Sequence, residues 1–200
     1  QGVSGTGKST LGVAIARALR MPYVEGDDLH PRANVDKMAA GIPLDDADRE
    51  PWLALIRATA ERTAAEEHAA AEKGSAAPRG VVITCSALKK YYREILRGRL
   101  QPELIDNNIL EAGHPNALQT YFVFIEGTRD VLVDRMSKRA GHFMKASMLD
   151  SQLSTLETPI GEEGVVVVSV EDSTEEQVRI AKGGLASIMG DSNKDEEGKL

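Results

Sequence analysis

The chain has 200 residues, of which 42% are hydrophobic and 28% are charged. This balance fits one globular domain with an ordinary core, and it excludes the fibrous and the wholly disordered classes. The formal net charge of −7 argues against nucleic acid or an anionic membrane as a partner, because both require a basic protein surface.

The sequence opens on a glycine-rich segment, residues 2–9, which reads GVSGTGKS and matches the pattern of a phosphate-binding loop. Apolar residues at helical spacing predict a helix after it, from about Lys8 to Arg20. A phosphate-binding loop normally follows a buried strand, and no strand pattern precedes this one. We therefore expect that the first strand is missing and that the sequence is a fragment, so it says nothing about a targeting segment upstream.

Strand and helix patterns alternate along the rest of the chain. Short or β-branched runs predict strands at 23–25, 81–85, 121–125 and 165–170. Helical spacing predicts helices at 31–38, 46–73, 88–96, 131–139, 148–156 and 178–189. This alternation predicts an α/β fold in which a parallel sheet carries helices on both faces, within a single domain over residues 1–190.

Other segments carry less regular patterns. Residues 99–119 lack periodicity and predict a surface insertion, and the polar residues 191–200 predict a disordered tail. The longest strongly apolar run, 165–170, is strand-sized, so no membrane-spanning helix is expected. The single cysteine, Cys85, ends an apolar strand and is interpreted as a buried packing residue. One cysteine cannot form an intrachain disulfide, which fits a reducing compartment such as the cytoplasm.

The glycine-rich segment carries the strongest chemical signal in the sequence. Its glycines allow consecutive backbone N–H groups to face phosphate oxygens, while Lys8 neutralises their charge and Ser9 reaches Mg²⁺. The predicted ATP-binding residues of this segment are Gly2, Ser4, Gly5, Thr6, Gly7, Lys8, Ser9 and Thr10. The motif alone leaves a kinase, a GTPase, a motor or a non-catalytic scaffold open. The absence of an Asn-Lys-x-Asp motif argues against a GTPase, and the chain length favours a small kinase over a motor.

A second cluster follows the strand predicted at 23–25, where residues 25–31 read EGDDLHP. Carboxylates at a strand end suit phosphoryl transfer, in which one carboxylate serves the metal and another accepts the proton of the attacking hydroxyl. We assign Asp27 to the hydroxyl and Glu25, with Ser9, to the metal. The alternative interpretation is a solvated acidic turn that caps the next helix.

Basic and polar residues supply candidates for the remaining contacts. The candidate substrate-binding residues are His30, Lys37, Arg49, Ser86, Arg93 and His142, beside Asp27. Arg135 and Arg139 are candidate ATP ligands, and a basic lid is predicted at about 138–147. The alternative for each of these charges is an ordinary solvated surface position. Trp52 is predicted to be a core residue rather than a stacking platform.

Eight blocks, taken together, resemble the gluconokinase family and occur in the family's order from Gly2 to about Val170. They are GVSGTGKST at 2–10, EGDDLHP at 25–31, N-x-x-K-M at 34–38, GIPL at 41–44, DREPWL at 48–53, CSALKKYYR at 85–93, GHFM at 141–144 and SQLSTLETP at 151–159. The resemblance implies ATP- and Mg²⁺-dependent phosphorylation of D-gluconate to 6-phospho-D-gluconate. It implies a three-layer αβα P-loop kinase fold like that of nucleoside monophosphate kinases.

The resemblance also bears on the individual roles and on the alternatives. It supports Lys8 and Ser9 as ligands of phosphate and Mg²⁺, and it is consistent with Asp27 near the substrate hydroxyl. Members of the family are often dimers, which allows a homodimer here. A shikimate-type kinase is the closest alternative enzyme, and the pairs at 30–31 and 51–52 weigh against it. A non-catalytic nucleotide-binding regulator is the alternative from another class, and the presence of Asp27 argues for chemistry.

Overall fold

The computed structural model describes residues 1–72, 80–101, 118–138 and 146–197. Its strands are β1 Tyr23–Glu25, β2 Val82–Thr84, β3 Phe122–Glu126 and β4 Val165–Ser169. Its helices are α1 Lys8–Leu19, α2 Arg32–Ala39, α3 Asp46–Glu72, α4 Lys90–Leu96, α5 Arg129–Lys138, α6 Ala146–Thr155 and α7 Thr174–Glu197, and a 3₁₀ helix spans Gly26–Leu29. The predicted strands and helices are confirmed in type and order, with ends that differ by a few residues.

The strands pair in parallel, as the alternating pattern predicts. β1 pairs with β2 in a register that places Glu25 beside Thr84, and β3 pairs with β4 in a register that places Phe122 beside Val165. The prediction of one continuous sheet is not met among the described residues, because their strands form two two-stranded sheets. The backbone of Gln1 bonds to β3 through the Val123 oxygen and the Ile125 N–H, which is the pattern of a parallel ladder.

One hydrophobic core joins both strand pairs. Helix α1 packs on β1 and β2 and also on α7, while α7 packs on β4. Large apolar side chains that are almost completely buried come from five elements and from the loop before α4; among them are Trp52, Leu53, Leu88, Tyr92, Leu132, Leu149 and Val168. Each fully buried leucine contributes about 1.5–3 kcal/mol of transfer free energy. The core therefore fixes α1, and with it the glycine-rich segment, against the carboxyl ends of the strands.

The last helix extends beyond its predicted end. The structure continues α7 to Glu197, whereas the sequence predicts a disordered tail from residue 191. Elongating a helix costs much less than nucleating one, so polar residues that follow a well-packed helix can prolong it. Within the described residues, no helix combines the length and apolar character needed to cross a membrane.

Candidate active site

The glycine-rich segment forms a turn that leads directly into α1. Gly5 and Gly7 have φ angles of 84° and 88°, a left-handed conformation that glycine adopts without steric cost. An added Cβ at Gly5 would lie 2.8 Å from Cγ of Met136, so α5 also crowds this turn. The Thr6 hydroxyl donates to the Val3 oxygen at 2.9 Å, and the Lys8 ammonium donates to the same oxygen at 3.0 Å. The segment thus has the shape of a phosphate-binding loop at a helix N-terminus.

Three hydroxyl groups surround the carboxylate of Glu25 at the end of β1. Tyr23 donates to Oε2 at 2.7 Å and Thr84 donates to Oε1 at 2.5 Å, while the Ser9 hydroxyl lies within interaction range. Burial of the carboxyl opposes ionisation, but the hydrogen bonds from Ser9, Thr84 and Tyr23 outweigh it and lower the pKa of Glu25. Glu25 is therefore an ionised carboxylate next to the first turn of α1, and its assignment to the metal side of the site stays a prediction.

The 3₁₀ helix after β1 carries the second carboxylate. Asp27 is exposed, and its charge acts on the neighbouring His30. Gly26 has no room for a side chain, since an added Cβ would lie 2.0 Å from the backbone oxygen of Thr84. This close approach pins the end of β1 to the end of β2. It sets Glu25 towards the loop and leaves Asp27 on the solvent side.

An aromatic stack lies beside the exposed carboxylate. The rings of His30 and Trp52 are 4.0 Å apart and nearly parallel, at 13°. The Trp52 indole donates to the Gly26 oxygen at 2.8 Å, and Asn34 contacts the His30 Nδ1 at 3.3 Å. Burial lowers the pKa of His30, and the charge of Asp27 only partly opposes this shift. Trp52 is a core residue as predicted, and it is also the platform on which His30 stacks.

Arg49 and Lys37, the next two candidate substrate residues, have different surroundings in the structure. Arg49 is mostly buried and bonds to the Leu44 oxygen, with its guanidinium 5.9 Å from the centre of the Tyr92 ring. Its charge also acts on His30, so these two candidates are brought together. Lys37 instead contacts both oxygens of Asp48, at 2.6 and 2.7 Å. A substrate carboxylate would compete with Asp48 for this ammonium.

Arg93 does not reach the open edge of the site, and its prediction as a substrate ligand is corrected. The side chain is completely buried and contacts both oxygens of Glu162, at 2.9 and 2.5 Å. Its terminal nitrogens also donate to the oxygens of Ala87, Leu88 and Glu157. The sequence places Arg93 one turn into the helix after a buried strand, but the segment around Glu157 and Glu162 covers it.

Two of the remaining candidates lie within the described part of the chain, and two lie outside it. Ser86 is half-buried after β2, next to Ala87, whose φ of 41° lies in the left-handed region. Arg135 is exposed on α5, one residue before the Met136 that packs on Gly5. Arg139 and His142, with most of the lid predicted at 138–147, lie outside the described residues, as does 102–117 of the predicted insertion.

Some residues of the site were not found by sequence reasoning. Tyr23 is two residues before Glu25 on a strand, and this spacing places both on one face. Thr84 becomes identifiable once β1 and β2 are paired, since it is the register partner of Glu25. A cavity of about 190 Å³ between Val3, the end of β3 and α6 was also unforeseen, and none of the predicted site residues lines it.

The phosphate loop and the acidic end of β1 suit the same ligand, a phosphate chain with its bound cation. Backbone N–H groups and Lys8 suit an anionic phosphate chain, and the ionised Glu25 with Ser9 offers hard oxygen ligands for its cation. No three His, Cys, Asp or Glu side chains of the described residues form a metal site by themselves, and sites for nucleotide-bound cations need fewer protein ligands because phosphates supply the others. The fold and site thus define a kinase of the P-loop class.

Comparison with known proteins narrows this class to one family. The chain is 45% identical over 170 residues to a gluconokinase of Gluconobacter oxydans, a match that covers 85% of this chain and 80% of the relative. The crystal structure of a gluconokinase from Sinorhizobium meliloti 1021 superposes with a TM-score of 0.73 at 42% identity, over 98% of this chain and 94% of that one. No protein-family model matches the sequence. The chain belongs to the gluconokinase family.

A more distant structure supports the fold alone. An APS kinase from Mycobacterium tuberculosis, in complex with AMPPNP and APS, superposes with a TM-score of 0.53 at 17% identity, over 95% of this chain and 94% of that one. The α/β P-loop kinase fold with parallel strands is therefore shared beyond the gluconokinases.

Proposed function

We propose that this chain transfers the γ-phosphate of ATP to the terminal hydroxyl of D-gluconate and produces 6-phospho-D-gluconate and ADP. The observation that carries the proposal is the arrangement at the end of β1, where Glu25 faces Ser9 of the phosphate loop and Asp27 faces solvent two residues later. Membership of the gluconokinase family supports gluconate as the acceptor.

The phosphate loop and its metal form the donor side of the proposed site. Loop amides, Lys8 and the N-terminus of α1 bind the phosphate chain, with Arg135 and Arg139 as further candidate ligands. Ser9 and Glu25 fit Mg²⁺, because a hydroxyl and an ionised carboxylate are the hard oxygen ligands that this cation prefers. When bound, Mg²⁺ supplies neutralisation of charge on the β- and γ-phosphate oxygens.

Asp27 is the proposed catalytic base on the acceptor side. The hydroxyl oxygen attacks the γ-phosphorus, the bond from that phosphorus to the β,γ-bridging oxygen breaks, and ADP leaves. The hydroxyl proton passes to the Asp27 carboxylate. Glu25 does not compete for this role, because hydroxyl groups already bond to both of its oxygens.

The sugar acid is proposed to bind beside Asp27. His30 stacks on Trp52 with its ring fixed, and Arg49 lies close enough for its charge to act on His30. A guanidinium matches the geometry of a carboxylate, which makes Arg49 the preferred ligand of the acid group. Lys37, Ser86 and His142 are secondary candidates for the hydroxyl groups.

The finer points of fold and setting are part of the same proposal. We propose that the two strand pairs belong to one sheet, the middle layer of a three-layer αβα fold, since one core joins them and Gln1 pairs with β3. A homodimer and a cytoplasmic location are proposed from the resemblance to the family and from the single buried cysteine.

The test combines a substrate assay with a matched pair of variants. Purified protein is given ATP, Mg²⁺ and either gluconate or shikimate, and 6-phosphogluconate is detected by a coupled reaction. Asp27→Asn is expected to lower turnover about 10²–10⁴-fold with ATP affinity retained. Asp28→Asn, on the adjacent exposed carboxylate, is the control and keeps its activity.

Two outcomes contradict the proposal. Full turnover by Asp27→Asn removes this residue as the base. If the folded wild-type protein binds ATP but forms no product from gluconate, the assignment of substrate is wrong.

A further inference from the structure

A side chain from α6 contacts the phosphate loop. The backbone N–H of Ser4 donates to Oε1 of Gln152 at 2.7 Å, across a sequence separation of 148 residues. Gln152 lies in the block SQLSTLETP, for which neither the sequence nor the proposed reaction supplies a role. The contact joins a loop amide to a helix that is far away in the sequence.

This contact completes a clamp on the peptide group between Val3 and Ser4. On one side, the Val3 oxygen accepts hydrogen bonds from the Thr6 hydroxyl and the Lys8 ammonium. On the other side, the Ser4 N–H is bonded to Gln152. Lys8 has three N–H donors, which a bound phosphate shares with the Val3 oxygen. Thr6 and Gln152 hold this peptide group independently of the nucleotide.

Helix α6 is anchored firmly enough for Gln152 to hold the loop in place. Leu149, one turn before Gln152, is completely buried in the core. Asp150 bonds to Arg129 of α5 at 2.6 Å. The face of α6 near the loop is less well filled, because Leu153 and Leu156 line the 190 Å³ cavity that Val3 also borders. Next to this cavity, the hydrogen bond from the Ser4 N–H to Gln152 gives α6 and the loop a contact of defined geometry.

The chemistry of the side chain fits this position. A glutamine oxygen accepts a hydrogen bond without adding negative charge, whereas a glutamate at the same place would repel a triphosphate. Within the described residues, no hydrogen bond is made by the Gln152 Nε2. Its two N–H donors are compatible with a neighbouring anion.

We propose that Gln152 is a positioning residue for phosphoryl transfer, which holds the Ser4 amide so that the phosphate loop keeps its shape when Lys8 binds the phosphates. The inference rests on the proposed function, since it gives a role in that reaction to a residue outside the loop. It differs from a purely structural role because its effect falls on turnover and on ATP rather than on the stability of the fold.

The test uses two substitutions at Gln152 and one control on the same helix. Gln152→Met keeps the length of the side chain and removes the strong acceptor, whereas Gln152→Glu keeps the acceptor and adds a charge. Ser154→Ala removes a hydroxyl whose hydrogen bond, in the described part of the chain, stays within α6 at the Ser151 oxygen. For each protein, kcat, the KM values for ATP and gluconate, the affinities for ATP and ADP without gluconate, and the melting temperature are measured.

The proposal expects a specific pattern. Gln152→Met lowers kcat/KM for ATP about three- to tenfold, the scale of one lost hydrogen bond, with the KM for gluconate and the melting temperature close to those of Ser154→Ala. Gln152→Glu recovers kcat at saturating ATP but raises the KM for ATP, since the loop is held while the added charge repels the nucleotide.

Other patterns overturn the proposal. Wild-type kcat and ATP affinity in Gln152→Met would show that the contact has no role in the reaction. A loss that follows the melting temperature equally in Gln152→Met and Gln152→Glu would show that it is only structural. If the wild-type protein does not phosphorylate gluconate, the affinities for ATP and ADP still decide the role of Gln152, and an unchanged ATP affinity in Gln152→Met rejects it.

Discussion

Arg93 offers the clearest test of the structure against the sequence pattern. We predict that Arg93→Met destabilises the fold by about 3–5 kcal/mol, because Glu162 keeps only its longer contact with Arg97, at 3.6 Å, and three backbone oxygens lose the donor that Arg93 supplies. Arg93 is completely buried and the side chain of Glu162 is 15% exposed, so water compensates little of this loss. Proteins of this size have a total stability of only about 5–15 kcal/mol. The variant is therefore expected near the limit of folding.

Urea unfolding followed by the fluorescence of Trp52, the single tryptophan, measures this change directly. Arg99→Met is the matched control, since the side chain of Arg99 is 57% exposed and its ion pairs are 3.6 Å or longer. Its expected cost is about 0–1 kcal/mol. Arg93→Lys is the second variant in case the methionine protein does not fold, and it keeps a charge for Glu162 but loses the two-pronged contact.

The opposite result would refute this reasoning. If Arg93→Met or Arg93→Lys unfolds within 1 kcal/mol of the wild type and raises the KM for gluconate, Arg93 binds the substrate as the sequence pattern predicts. If the folded variant keeps its KM for gluconate while its unfolding free energy falls, the role of Arg93 is to hold the turn after β2.

Three further predictions concern the end of β1. Gly26→Ala is expected to lower both the melting temperature and turnover, because its Cβ would meet the Thr84 oxygen, whereas Gly183→Ala, with open space around it, is neutral or slightly stabilising in a melting experiment. Glu25→Gln is expected to raise the Mg²⁺ concentration for half-maximal turnover by about 10–100-fold, and an unchanged Mg²⁺ titration would remove Glu25 from the metal side. Burial lowers the pKa of His30 from 6.5, so the unfolded chain binds more protons and stability declines as the pH falls below about 6.5; an NMR titration midpoint at or above 6.5 would contradict this.

Local patterns were sufficient for the elements and for the phosphate loop. The loop is contiguous in sequence, and runs of β-branched residues mark the strands predicted at 81–85 and 165–170. The metal side of the site was partly accessible as well. Glu25 was assigned to the metal side from its strand-end position, and Tyr23 shares its face by the period of two along a strand.

Contacts between segments far apart in the sequence could not be predicted from local patterns. Arg93 has the sequence position of an active-site residue, but its partner Glu162 is 69 residues away and nothing local indicates that this segment folds over it. The Ser4 contact with Gln152 spans an even longer separation. Such pairings depend on how α4 and α6 pack against the sheet, and apolar periodicity gives the face of a helix but not its neighbour.

The two carboxylates at the end of β1 have different surroundings, which suit the two different roles assigned to them from the sequence. Glu25 and Asp27 are chemically similar and two residues apart, but the strand ends between them at Gly26, which lies too close to the Thr84 oxygen to carry a side chain. Glu25 is consequently held on the sheet side, where hydroxyl groups bond to both oxygens and keep it ionised. Asp27 follows in the 3₁₀ helix on the solvent side, next to His30. A carboxylate whose oxygens are already bonded suits a fixed metal-side ligand, whereas an exposed one is accessible to a substrate hydroxyl, so the change of structure at Gly26 separates the two proposed functions.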